Sequence, residues 1–166
     1  MMINLDPNIN PEKDDIVIVA IDSTGIKVIN RAQNGYLING RKKRIKKGFI
    51  KIHVAVVNIK TKKIVSMEVT KEDVYDGQML KELVYDVSKT RSIKKVLADR
   101  GYDSKDNFGY LDRLNIVPVI KVRKNSSVKN NTRCIPRKLS VIQQLEDIKR
   151  WKKRCGYGMR CWMAES

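Results

Sequence analysis

The feature that most constrains the fold is the run Ile16-Val17-Ile18-Val19-Ala20-Ile21. It is continuously apolar and rich in β-branched residues, so it reads as a central strand buried on both faces. Asp22 falls at its end. A second β-rich segment, FIKIHVAVVNI at 49–59, opens with Lys51 and His53 alternating with Ile50, Ile52 and Val54. Thr61-Lys62-Lys63 makes a tight connection to IVSMEVT at 64–70. Three strands joined this way predict an antiparallel meander. Residues 26–30 extend or follow the first strand, whereas 31–48, rich in Gly, Asn and Lys, are poor core material.

The period then changes from strand to helix. Leu80, Leu83, Val84 and Val87 share one helical face, which predicts a helix over roughly 77–89 with Asp76 as its cap. KKVLA at 94–98 returns to a short buried strand, followed at once by Asp99. Ser104 can cap a second helix near 105–114, with Phe108 and Leu111 turned inward, and IVPVI at 116–120 supplies a fifth strand. The order β-β-β-α-β-α-β implies an α/β fold, a mixed sheet covered by helices. Right-handed crossovers would make the later strands parallel neighbours of the first.

Beyond the sheet, 121–138 form a long basic connection. Val141, Leu145 and Ile148 mark a third helical face, and a final helix starts around 157. Residues 1–15 read as an N-terminal arm, and 16–166 as one domain.

Charge narrows the function. Thirty-five Lys and Arg against eighteen Asp and Glu give +17, where a charge of about 2 to 8 keeps a small domain soluble. The excess is clustered: 41–51 and 121–138 hold seven basic residues each and no acid, and 149–154 add five. Such strips can follow a phosphate backbone, so the expected partner is a nucleic acid. No run approaches the roughly 18 apolar residues of a membrane span. The start lacks the order of a secretion signal, so the chain reads as cytoplasmic. Cys134, Cys155 and Cys161 lack zinc-site spacing and read as free thiols.

Neighbouring strand ends in an α/β sheet are held by the core yet face a crevice. If the first and fourth strands are adjacent, Asp22 and Asp99 approach each other. Two such carboxylates repel unless a cation offsets them. Mg²⁺ does so, and two ions about 3.5–4 Å apart suit in-line phosphoryl transfer. Glu165, after the last basic segment, is the candidate third acid. The bland reading of Asp22 and Asp99 is a turn or cap at a strand exit. Asp73, Asp103 and Glu68 compete as ligands, and His53 reads either as structural or as facing the crevice or DNA. Trp151 and Trp162 read as packing residues.

AIDSTGIK at 20–27, KIH at 51–53, LADRGYDS at 97–104 and YGMRCWMAES at 157–166, in this order, resemble the catalytic region of insertion-sequence transposases with a DDE triad. The resemblance spans about 16–166. It implies an RNase H-like fold and two Mg²⁺ or Mn²⁺ ions held by Asp22, Asp99 and Glu165. It also implies double-stranded DNA as substrate, cut at the element ends by water and then attacked by the freed 3′-hydroxyl. Tyr157 and Arg160 match the Tyr and Arg of the last motif, placed near DNA phosphates and the Glu.

With the basic clusters, the expected DNA contacts are Arg41, Lys42, Lys43, Arg44, Lys46, Lys47, Lys51, His53, Arg100, Lys121, Arg123, Lys124, Tyr157 and Arg160. The full-length parent enzyme is expected to form an oligomer and to associate with the nucleoid. Four residues separate Arg160 from Glu165, one more than in the family pattern, and the chain stops at Ser166 where that pattern runs on to a basic residue. No helix-turn-helix precedes Asp22. The expectation is therefore a catalytic region incomplete at both ends, with weak or absent strand transfer. The alternatives are an RNase H-like metal-dependent nuclease and a remnant that only binds DNA.

Overall fold

A computed structural model describes residues 16–27, 37–38, 41–42, 49–57, 63–129 and 133–160. The predicted arm at 1–15, the Thr61-Lys62 connection, Tyr36, Lys43, Arg44, Lys46, Lys47, Cys161, Trp162 and Glu165 lie outside the described residues, as does most of the helix expected from 157.

The apolar run forms the middle of the sheet. β1 (Ile16–Lys27) pairs antiparallel with β4 (Phe49–Val57), which pairs antiparallel with β5 (Lys63–Lys71). On its other side β1 pairs parallel with β6 (Ser92–Ala98), and β6 with β7 (Val117–Ile120). The strand order β5-β4-β1-β6-β7 is that of an RNase H-like fold. The predicted meander and parallel neighbours are both present. In the segment expected to add nothing to the core, β2 (Leu37–Ile38) and β3 (Arg41–Lys42) form a separate two-stranded pair.

Period-2 alternation in β1 divides the interior. Val19 and Ile21 join Ala55, Val57, Val96 and Ala98 on one face, beneath α1 (Asp76–Ser88) and α2 (Lys105–Arg113). Leu80, Leu83, Val84 and Val87 of α1 and Phe108 and Leu111 of α2 are all buried there, as their spacing requires. On the opposite face Ala20, Val56, Leu97 and Val119 pack with Trp151 and Tyr157. Trp151 lies on α4 (Ile148–Cys155), and the ring of Tyr157 meets it at a centroid distance of 5.2 Å. Ser104 caps α2 as predicted, its hydroxyl accepting from the Asn107 amide at 3.1 Å.

Three local expectations are corrected. Asp22 does not end its strand: β1 continues through Lys27 along β4, and Asp22 stands instead beyond Ala20, whose partner Leu97 is two residues short of Asp99. Asp76 is not a side-chain cap; Tyr75 holds the cap position and Asp76 is the first helical residue. The face Val141-Leu145-Ile148 is not one helix. α3 (Ile135–Glu146) ends before Asp147, whose carboxylate accepts from the Lys149 and Arg150 amides and starts α4. A cap competes well with helix continuation, because it satisfies amides that have no partner within the helix. Leu145 is consequently exposed, while Val141 is buried.

Two devices hold the long basic connection against the domain. The buried Asp103 carboxylate accepts from Arg137 Nε at 2.7 Å, Arg137 Nη2 at 2.9 Å and the Arg123 amide at 2.9 Å. Gln144 donates to the Ile120 carbonyl at 2.9 Å and accepts from the Val122 amide at 3.0 Å. α4 ends at Gly156, whose φ of 74° is the left-handed conformation suited to glycine, and the chain turns there toward Tyr157 and Arg160. Among the described residues no helix is long and apolar enough to cross a membrane.

Candidate active site

The register sets the site. Ala20 lies beside Leu97 and Ala98 beside Ile120, so the ends of the parallel strands bring Asp22, Asp99 and Lys121 into a row. Asp99 leaves β6 and caps a single 3₁₀ turn, Arg100–Tyr102, its Oδ1 accepting from the Gly101 amide at 2.8 Å. Asp22 Oδ1 accepts from the Ser23 amide at 3.0 Å. Arg160 then reaches both acids: its Nη2 is 3.5 Å from Asp22 Oδ1 and 3.6 Å from Asp99 Oδ2. One guanidinium nitrogen therefore spans two carboxylates that the sequence keeps far apart.

The acids keep solvent access, their side chains being 30% and 42% exposed, whereas Arg160 is 15% exposed and its Nε has no hydrogen-bond partner. The surroundings are basic. Burial lowers the proton affinity of Lys121 below the usual lysine range, and Arg100, Lys152 and Arg160 lower it further, while Asp99 opposes them. Arg100, Lys152 and Arg160 thus lie within electrostatic reach of Lys121, which also feels Asp99, so positive charge collects on the Asp99 side of the site.

Hard carboxylate oxygens of this kind are the donors preferred by Mg²⁺ and Mn²⁺. Asp22 and Asp99 fit as two ligands, since oxygens of both already lie on one cationic nitrogen. Among the described residues no three His, Cys, Asp or Glu side chains form a group able to hold a metal. The expected third ligand, Glu165, lies outside those residues.

The other candidates separate clearly. Asp103 is occupied by Arg137 and Arg123, Asp73 is exposed on a turn, and Glu68 sits opposite His53 in the strand ladder. His53 is fully buried and its Nε2 pairs with Thr70 Oγ1 at 2.9 Å, so it does not meet DNA in this conformation. Burial also lowers its proton affinity; Lys51 adds to that effect while Asp76 and Glu68 oppose it. Tyr157, expected near phosphates, is buried and packs on Trp151. Lys51 faces inward to Asp76 at 3.2 Å and donates to the Val74 carbonyl at 2.9 Å. Arg123 and Lys124 are exposed, Arg100 and Lys121 partly so, and Arg41 and Lys42 lie on β3. Cys134 and Cys155 are free thiols.

Sequence reasoning missed the meeting of Lys51 with Asp76, and the position of Tyr102 among the acids. Neither had a signal in spacing, because both depend on how α1 packs across the strand ends.

A mixed sheet of order β5-β4-β1-β6-β7, with one acid within its central strand and a second just beyond the adjacent parallel strand, defines the class of RNase H-like domains. The sequence profile described as transposase DDE domain matches residues 13–160, nearly the whole chain. The chain belongs to this family of DDE transposases. No curated protein sequence matches it.

Proposed function

We propose that this protein performs the DNA chemistry of an insertion-sequence transposase at Asp22 and Asp99. In this reading phosphodiesters are cleaved at the element ends, and the freed 3′-hydroxyl attacks target DNA. The observation that carries the reading is the convergence of both carboxylates on Arg160 Nη2, at 3.5 and 3.6 Å. Family membership supports it independently.

Asp22 and Asp99 would hold divalent Mg²⁺ or Mn²⁺, with Glu165 completing a two-ion site. Bound there, such ions activate the attacking oxygen and stabilise the leaving one. Arg100, Lys121, Arg123 and Lys124 would bind backbone phosphates of duplex DNA, together with Arg41, Lys42, Lys43, Arg44, Lys46 and Lys47 of the basic stretch. Arg160 holds the two acids together without metal and, once released, is placed to meet a phosphate.

The test is a paired assay with end-bearing DNA: strand cleavage, and joining of a 3′-hydroxyl end to a target duplex. The expected result is Mg²⁺- or Mn²⁺-dependent cleavage and joining that Asp22→Asn and Asp99→Asn each abolish while DNA binding persists. Cleavage without joining would favour the nuclease alternative. Activity unchanged in both variants would refute the assignment.

A further inference from the structure

We propose that Asp76 and Lys51 are a positioning pair for the Asp99 turn, which fixes the charge felt by Asp22 and Asp99; the inference rests on reading those two acids as a divalent-cation site. Asp76 is the first residue of α1, which packs against the Asp99 turn. Its Oδ2 lies 3.2 Å from the point where a Cβ on Gly101 would stand, and Asp99 Oδ1 lies 3.0 Å from the same point. Gly101 thus lets two carboxylates close on one stretch of backbone. A side chain there would press on both.

The contacts of Asp76 are not those of an ordinary helix-start acid. It caps no amide, and its buried Oδ1 has no hydrogen bond, only the Lys51 ammonium at 3.2 Å. Lys51 is held in place by the Val74 carbonyl. Asn107 Nδ2 donates to the Gly77 carbonyl at 2.8 Å and the Tyr102 carbonyl at 3.0 Å, tying the start of α1 to the turn. Displacement of Asp76 is therefore transmitted to Asp99 through a short, buried path. The Tyr102 hydroxyl, buried beside these groups, is held protonated well above the usual tyrosine range, although Ser23 hydrogen-bonds it and acts in the opposite sense. Burial is the main cause; among the three carboxylates that add to it, Asp76 contributes more than Asp99 or Asp22. A buried carboxylate oxygen without a hydrogen bond is costly, so the unpaired Asp76 Oδ1 points to a role beyond stability.

The pair makes an electrostatic prediction of opposite signs. Neutralising Asp76 leaves the Lys51 cation uncompensated near the acids, whereas removing the Lys51 charge leaves a carboxylate. The experiment measures Mn²⁺ affinity by EPR in wild type, Asp76→Asn, Lys51→Met, the double variant, and Asp22→Asn/Asp99→Asn. Affinity should fall about tenfold in Asp76→Asn, rise severalfold in Lys51→Met and return close to wild type in the double variant, the scale expected for one charge several ångströms from a divalent ion.

Changes of the same sign in both single variants, or no change, would overturn the inference while leaving the metal site intact. If Asp76→Asn does not fold, Lys51→Met decides alone: a rise supports the pair, and an unchanged or lower affinity overturns it. Mn²⁺ binding that is absent in wild type, or unaltered in Asp22→Asn/Asp99→Asn, would instead refute the cation site itself.

Discussion

Arg160 stands between Asp22 and Asp99, with one nitrogen 3.5 and 3.6 Å from the two acids. A divalent ion bound by the proposed site would compete with the guanidinium for the same oxygens. Arg160→Gln should therefore bind Mn²⁺ about tenfold more tightly than wild type in the absence of DNA, because a unit positive charge beside the ion has gone. Its metal-free melting temperature should fall, since the two carboxylates are left to repel. Calorimetric titration and a thermal melt read both effects. The proximity of Asp22 and Asp99 was legible in the sequence, because each acid follows an apolar run that reads as a buried strand. The contact of Arg160 with both acids was not: the last motif pointed to phosphates and Glu165, and it carries no signal that the chain beyond Gly156 also brings Arg160 onto Asp22 and Asp99.

At the scale of elements, the strands and the first two helices followed from periodicity because their apolar residues face one buried layer, as with Leu80, Leu83, Val84 and Val87. The last helices did not follow from it. Val141, Leu145 and Ile148 share a helical spacing, yet Asp147 interrupts them, and a local cap outweighed an apolar pattern that has little core left to meet. The basic connection before α3 is fixed by a buried ion pair that no spacing rule reveals, Asp103 with Arg137 at 2.7 Å. Removing one member of such a pair leaves the other charge buried. Asp103→Ala should cost roughly 3–5 kcal/mol in urea unfolding. A loss below about 1 kcal/mol would show the pair to be no more than a surface contact.

For the whole molecule, a net charge of +17 predicts that DNA affinity depends steeply on salt. If six to ten phosphates are contacted, affinity should drop by about 10³–10⁵ between 50 and 200 mM salt. Fluorescence anisotropy with a labelled duplex measures the slope, and a flat profile would remove the electrostatic basis of binding. Charge alone told of a polyanion. Only the sheet order β5-β4-β1-β6-β7 joined that charge to a pair of acids, since it sets β1 beside β6.

In the proposed function, Asp22 and Asp99 are two ligands of one divalent-cation site. Anomalous scattering from crystals grown with Mn²⁺ tests it most directly. The prediction is a manganese peak within coordination distance of both carboxylates, with the Arg160 guanidinium withdrawn from them. Contradiction would be Arg160 still bridging the two acids, with no peak between them at saturating Mn²⁺.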